Sequence, residues 1–179
     1  MIIDDFTSGS HSATLTSGTD RVAQSGSMLG GKRATWLWIS SHYGHPGLLD
    51  VGSGRLILST GVLVVHRLAV AYGYNQDFNL TPLPQDVLSG HNRFRVNFES
   101  NTMPLSFTIH VHSHSGATYS QMGTIIAPQP YPFSVEYVFS GFSVNPVNPS
   151  DIGGIILIFQ NEWVITGGND FAIQSVEAV

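Results

Sequence analysis

The run Leu105-Ser106-Phe107-Thr108-Ile109-His110-Val111-His112-Ser113-His114 alternates apolar and polar side chains over most of its length. In a β-strand successive side chains point to opposite faces. Leu105, Phe107, Ile109 and Val111 therefore share one face, and Ser106, Thr108, His110, His112 and His114 share the other. The pattern predicts a strand over Leu105–His112 with one buried and one polar face. The histidines form either a stripe on a sheet surface or one wall of a metal site.

The same kind of segment recurs along the chain. Apolar runs are short, rich in β-branched or aromatic residues, and bounded by Gly, Pro, Asn, Asp and Ser, which is the signature of strands. Strands are expected near Ile2–Phe6, Ala13–Thr16, Arg21–Gln24, Ala34–Ser40, Arg55–Ser59, Val62–Tyr72, Arg93–Phe98, Leu105–His112, Tyr131–Phe139, Gly154–Gln160 and Phe171–Ala178. Val62–Tyr72 is apolar on nearly both faces and is expected to be a central, covered strand. Asn75–Ser89 and Asn145–Ser150, each with two prolines, read as irregular connections. No stretch has the period of a long amphipathic helix. The expected fold is an all-β, single-domain antiparallel sandwich of jelly-roll type over residues 1–179, with roughly ten strands and little or no helix. Its terminal strands are expected to pair, with a bulge in the last one, where Phe171, Ile173 and Val176 break strict alternation.

Composition narrows the function classes. Charged residues make up 11% of the 179 residues, against about 25% in an ordinary globular chain. With one lysine, Lys32, scattered arginines and a net charge of −5, no basic patch for nucleic acid is expected. The chain has no cysteine, which excludes disulfides, thiolate zinc sites and cysteine nucleophiles. The start, Ile2-Ile3-Asp4-Asp5-Phe6, lacks the basic and apolar regions of a signal peptide, so either none belongs to the chain or one has been removed. The longest apolar stretch, Gly61 to Tyr72, is interrupted by His66 and Arg67 and is too short to span a bilayer. No pattern specifies an oligomeric state.

Three pieces taken together carry a resemblance: Ile3-Asp4-Asp5-Phe6, Ser27-Met28-Leu29-Gly30-Gly31-Lys32-Arg33, and Asn169-Asp170-Phe171-Ala172-Ile173. Tyr72-Gly73, Asn79-Leu80 and Asn92-Arg93-Phe94 extend it. The chain resembles the extracellular jelly-roll domains of bacterial exported proteins, many of which end in a PEP-type sorting signal, and more distantly the galactose-binding-like and complex I intermediate-associated protein sandwiches. The resemblance implies a sandwich fold, an extracellular or periplasmic setting, and binding of carbohydrate or another surface ligand.

Candidate site residues fall into three groups. Trp36 and Trp38 share a strand face, where they form either core or a platform for sugar rings, whose C–H faces are apolar. His42, Tyr43 and His45 follow on a loop that could rim a pocket, and Arg67 is a candidate contact for sugar or carboxylate. The second group is His110, His112 and His114. Residues i and i+2 lie about 6.6–6.8 Å apart along a strand, so two imidazoles can converge on one transition metal but three cannot easily do so. No acid occurs from Asn101 to Val135, so a third ligand would come from His66, Glu136 or His45. Otherwise His66 is a satisfied structural residue. The third group is Asp4 or Asp5 with Asp170, which would hold a structural calcium if the terminal strands brought them together, or would serve local turns.

No Gly-x-Ser-x-Gly, P-loop or Rossmann motif is present, and no opposed carboxylate pair of a glycosidase is signalled. The preferred expectation is a non-catalytic module binding glycan or another cell-surface ligand. The rivals are a metal-dependent enzyme or metal-binding protein using the histidine stripe, and a structural or assembly subunit.

Overall fold

The computed structural model describes residues 1–41, 43–143, 145–161 and 167–179. Thirteen strands are present among them: Ile2–Asp4 (β1), His11–Leu15 (β2), Ser17–Ser25 (β3), Lys32–Ser41 (β4), Gly47–Gly52 (β5), Arg55–Thr60 (β6), Val64–Tyr72 (β7), Arg93–Asn101 (β8), Leu105–Ser113 (β9), Tyr119–Ile126 (β10), Phe133–Val138 (β11), Ile152–Gln160 (β12) and Asp170–Ala178 (β13). The described helical residues are three single 3₁₀ turns, Leu29–Gly31, Phe139–Gly141 and Pro149–Asp151. No helix among the described residues is long and apolar enough to cross a membrane.

The strands form two antiparallel sheets. One runs β11-β8-β13-β6-β5-β2, with β1 added to β13, and the other runs β10-β9-β12-β7-β4-β3. The chain passes repeatedly between the sheets, as in a jelly roll, and the inward sets from both interlock into one large apolar cluster. β9 behaves as its alternation predicts: Leu105, Phe107, Ile109 and Val111 are buried, while Ser106, Thr108, His110 and His112 are half-buried on the outer side. Phe107 stacks on Phe159 of β12, with ring centroids 4.7 Å apart.

The terminal strands pair, Ile2 opposite Glu177 and Asp4 opposite Val176, and the register of β13 shifts around Ala172 to Ser175. Two strands, β5 and β10, exceed the sequence expectation. β10 is a sheet edge whose residues Gly123, Thr124 and Ile125 are exposed, so it lacks the apolar alternation that marks a half-buried strand.

The motifs near the start converge on one buried ion pair. Gly30 and Gly31 adopt φ of 71° and 72°, a left-handed conformation that suits glycine. They turn the chain into β4, which carries Arg33 into the interior. Arg33 Nη1 donates to Asp4 Oδ2 at 2.6 Å, and its other nitrogens donate to Gln24 Oε1 and the Gly9 carbonyl. Tyr72 Oη donates to the same carboxylate at 2.9 Å, and the Phe6 N–H donates to its other oxygen. A buried charge pair is tolerated when its remaining hydrogen-bonding capacity is met, as it is here. The pair fastens β1 of one sheet to β4 and β7 of the other.

Candidate functional site

Strand pairing sets out the outer face of the six-stranded sheet in rows. Running from β10 to β3, one row reads Gln121, His110, Ile156, Ala71, Ala34, Ala23. The next reads Gly123, Thr108, Ile158, Ala69, Trp36, Arg21, and the third reads Ile125, Ser106, Gln160, Arg67, Trp38, Thr19. The middle of this face is floored by alanines. Over the first row folds the connection that follows β7: Tyr74, Phe78 and Leu80 pack on Ala34, Ala71 and Ile156. Gly154 makes that approach feasible, because a Cβ there would lie 2.6 Å from the Tyr74 ring and 2.7 Å from Leu80 Cδ1. The cover explains why β7 is buried on both faces from Leu68 to Tyr72 yet leaves Arg67 exposed.

Beside this cover the third row stays open. A pocket of about 500 Å³ is lined by Trp36, Trp38, Val65, His66, Arg67, Gln160 and Asn161. Trp36 and Trp38 are half-buried and lie opposite the core-facing Leu37 and Ile39 on β4, so the core reading of the tryptophans is corrected. Their roles also differ. The Arg21 guanidinium lies 5.5 Å and the Arg67 guanidinium 5.6 Å from the Trp36 ring centroid, reaching it from the strands on either side of β4. Cation–π contact holds both groups at that ring, which leaves Trp38 as the indole available to a ligand. Asn161 shapes the pocket end: its Oδ1 accepts from the His66 N–H and its Nδ2 donates to the Val64 carbonyl, which continues β7's pairing past the end of β12.

Of the other predicted contacts, Tyr43 is exposed and His45 lies on the loop before β5, beside Gly61. Neither lines this pocket. His42 lies outside the described residues. Arg21, Gln160 and Asn161 were not anticipated. Arg21 is placed by the β3–β4 hairpin register opposite Trp36, and that register is absent from any local sequence pattern.

Two of the three predicted metal histidines lie together. The Tyr119 ring is 5.2 Å from His110 and 5.1 Å from His112. Tyr119 Oη donates to Gln121 Oε1 at 2.5 Å and lies 2.9 Å from His110 Nδ1, so the His110 tautomer with hydrogen on Nδ1 completes the chain. Partial burial lowers the pKa of both imidazoles, and the charges of His112 and Arg67 add to the effect at His110. His114 is a correction: β9 ends at Ser113, and His114 enters a turn where its N–H bonds the Asp151 carbonyl. The suggested third ligands also fall elsewhere. His66 is 1% exposed on the core side of β7, Glu136 on the other sheet is held by Arg93 and Arg95, and His45 is on the loop before β5. Among the described residues no group of three or more His, Cys, Asp or Glu is placed to hold a metal ion.

The calcium expectation fails on geometry. Asp4 pairs with Val176 while Asp170 begins β13, so about six residues of strand, roughly 20 Å at some 3.3 Å each, separate them. Asp4 is committed to Arg33 and Tyr72. Asp5 accepts from the N–H and hydroxyl of Thr7, which lowers its pKa. Asp170 accepts from Ser59 and the Thr60 N–H.

No family model and no curated protein matches the chain. Similar folds occur among solved structures. The family 11 carbohydrate-binding module from Clostridium thermocellum, in complex with a β-1,3-1,4-mixed-linked tetrasaccharide, shares 14% identity at a TM-score of 0.48, over 99% of this chain and 94% of that one. The N-terminal cellulose-binding domain of Cellulomonas fimi β-1,4-glucanase C shares 12% at 0.38, over 74% and 83%. The enzymatically active domain of bacteriophage CBA120 tailspike protein 4 shares 12% at 0.41, over 96% of this chain and 20% of that one. Identity at this level carries no site residue across.

Proposed function

We propose that the chain is a non-catalytic carbohydrate-binding module of an exported protein, taking a glycan on the outer face of the six-stranded sheet at the Trp36–Trp38–Arg67 pocket. The observation that carries this reading is the composition of the pocket. A half-buried indole, a planar guanidinium and the Gln160 side-chain amide line one open concavity. An apolar plane beside planar hydrogen-bonding groups suits a sugar ring, which offers C–H bonds on its faces and hydroxyls at its rim. The described lining contains no carboxylate, so it supplies no acid and nucleophile pair for glycosidic cleavage. Trp38 is the stacking residue in this reading, Arg67 and Gln160 are rim contacts, and Trp36 positions the arginine.

Affinity electrophoresis through gels cast with individual polysaccharides tests the proposal. Retardation by at least one glycan is expected, and Trp38→Ala should abolish it while leaving the circular dichroism spectrum unchanged. Unretarded migration through a panel of neutral and acidic polysaccharides would overturn the reading.

A further inference from the structure

The distribution of charge points to the class of glycan. The chain has seven Lys and Arg residues, and most of the arginines are engaged. Arg33 is buried on Asp4, Arg55 faces Glu99, and Arg93 and Arg95 clamp Glu136. Arg21 and Arg67 are exposed, and neither has a carboxylate partner among the described residues; what they share is the ring of Trp36. The rows that make up the outer face contain no Asp or Glu. On β3, Asp20 pairs with His11 of β2 on the other sheet. In the loop covering this face, Asp77 sits in an exposed turn whose N–H bonds Asn75. Among the described residues, a chain of net charge −5 thus presents two guanidiniums without a carboxylate partner on one face beside its sugar-sized pocket.

Guanidinium is a planar fork, weakly hydrated, that matches carboxylate and sulfate oxygens in pairs. Packing on Trp36 restricts both forks before any ligand arrives, which lowers the ordering cost of binding. Both lie within 5.6 Å of one ring centroid, so they are separated by at most twice that distance. Charged groups on neighbouring or next-neighbouring sugars of a chain can span such a gap. The field of Arg67 extends along the face as far as His110, where it helps to disfavour a further positive charge.

We propose that the glycan is anionic: uronate or sulfate ester groups dock on Arg21 and Arg67 while a neighbouring sugar ring lies on Trp38. This rests on the glycan-binding reading above. The test is affinity electrophoresis and titration calorimetry on the full chain with polygalacturonate, a sulfated galactan, and neutral mixed-linkage β-glucan, at low and high salt. Binding to the uronate or the sulfated polymer is expected, weakening with salt, with each of Arg21→Gln and Arg67→Gln costing about tenfold or more in affinity, as loss of a charge-assisted hydrogen bond does. Whichever polymer is bound identifies the anion. Preference for the neutral glucan, with no salt dependence and no effect of the arginine variants, would overturn the anionic assignment and leave glycan binding standing. Binding to none of the three, or anionic binding unchanged in both variants, would also overturn it, and the first of these would count against the glycan reading as well. Both substitutions lie on exposed positions, and an unchanged melting temperature verifies that they fold.

Discussion

His66 makes the chain measurably acid-sensitive. Its side chain points between the sheets, 1% exposed, with its ring 6.1 Å from Phe171 and neither ring nitrogen bonded among the described residues. Burial pushes its pKa from 6.5 down to about 3, because the imidazolium would lose its hydration with nothing to replace it. The folded-state pKa lies below the unfolded one. The stability that follows is therefore present in full above pH 6.5 and is lost as pH falls toward 3, where the unfolded chain takes up a proton that the folded chain refuses. The slope in that window is about 1.4 kcal/mol per pH unit. By about pH 4.5 the loss is roughly 3 kcal/mol, a substantial part of the roughly 5–15 kcal/mol that holds a domain folded. Urea unfolding of the wild type and of His66→Leu, from about pH 7.5 to 4.5, isolates the effect, since other titrating groups cancel in the difference. The variant is expected to be at least as stable near neutrality and to gain about 1.4 kcal/mol on the wild type for each unit below 6.5. Parallel stability curves through that window would mean that the buried ring accepts its proton without cost, contrary to its burial between the sheets.

Other consequences follow from the same packing. Asp4→Asn leaves Arg33 buried without its counter-charge and is expected to cost about 3–5 kcal/mol in denaturant unfolding; a loss under about 1 kcal/mol would mean that water reaches the pair. Gly154→Ala drives a methyl into Tyr74 and Leu80, so it should lift the covering loop, alter the tyrosine near-UV circular dichroism and cost about 1–3 kcal/mol. Proton NMR titration should place the midpoints of His110 and His112 below 6.5, as their desolvation requires; a midpoint above 6.5 for either would contradict their placement under partial cover.

Much of this architecture could be read from the chain because burial on one face of a strand imposes period two on the sequence. Leu105–Val111 declares both its faces, and Phe171, Ile173 and Val176 announce the bulge in β13. The pairing of β1 with β13 was likewise legible. The strands β5 and β10 were not: Gly47–Gly52 is short and bounded by glycines, and Tyr119–Ile126 is an edge that buries little. A strand that contributes few side chains to the core is under little pressure to display a pattern.

The site divides in the same way. Sequence alone determined an all-β sandwich, placed Trp36 with Trp38 and His110 with His112 on common strand faces, and excluded chemistry that needs cysteine or a phosphate loop. Those conclusions depend on local periodicity and on residue inventory. Tertiary structure decided which faces point outward, set Arg21 and Arg67 around Trp36, ended β9 before His114, and placed Asp4 and Asp170 at opposite ends of β13. Each of these depends on register between strands distant in sequence, or on where a loop such as 73–80 comes to rest. Periodicity within a strand fixes which residues share a face, and only pairing and packing between strands fix what that face meets.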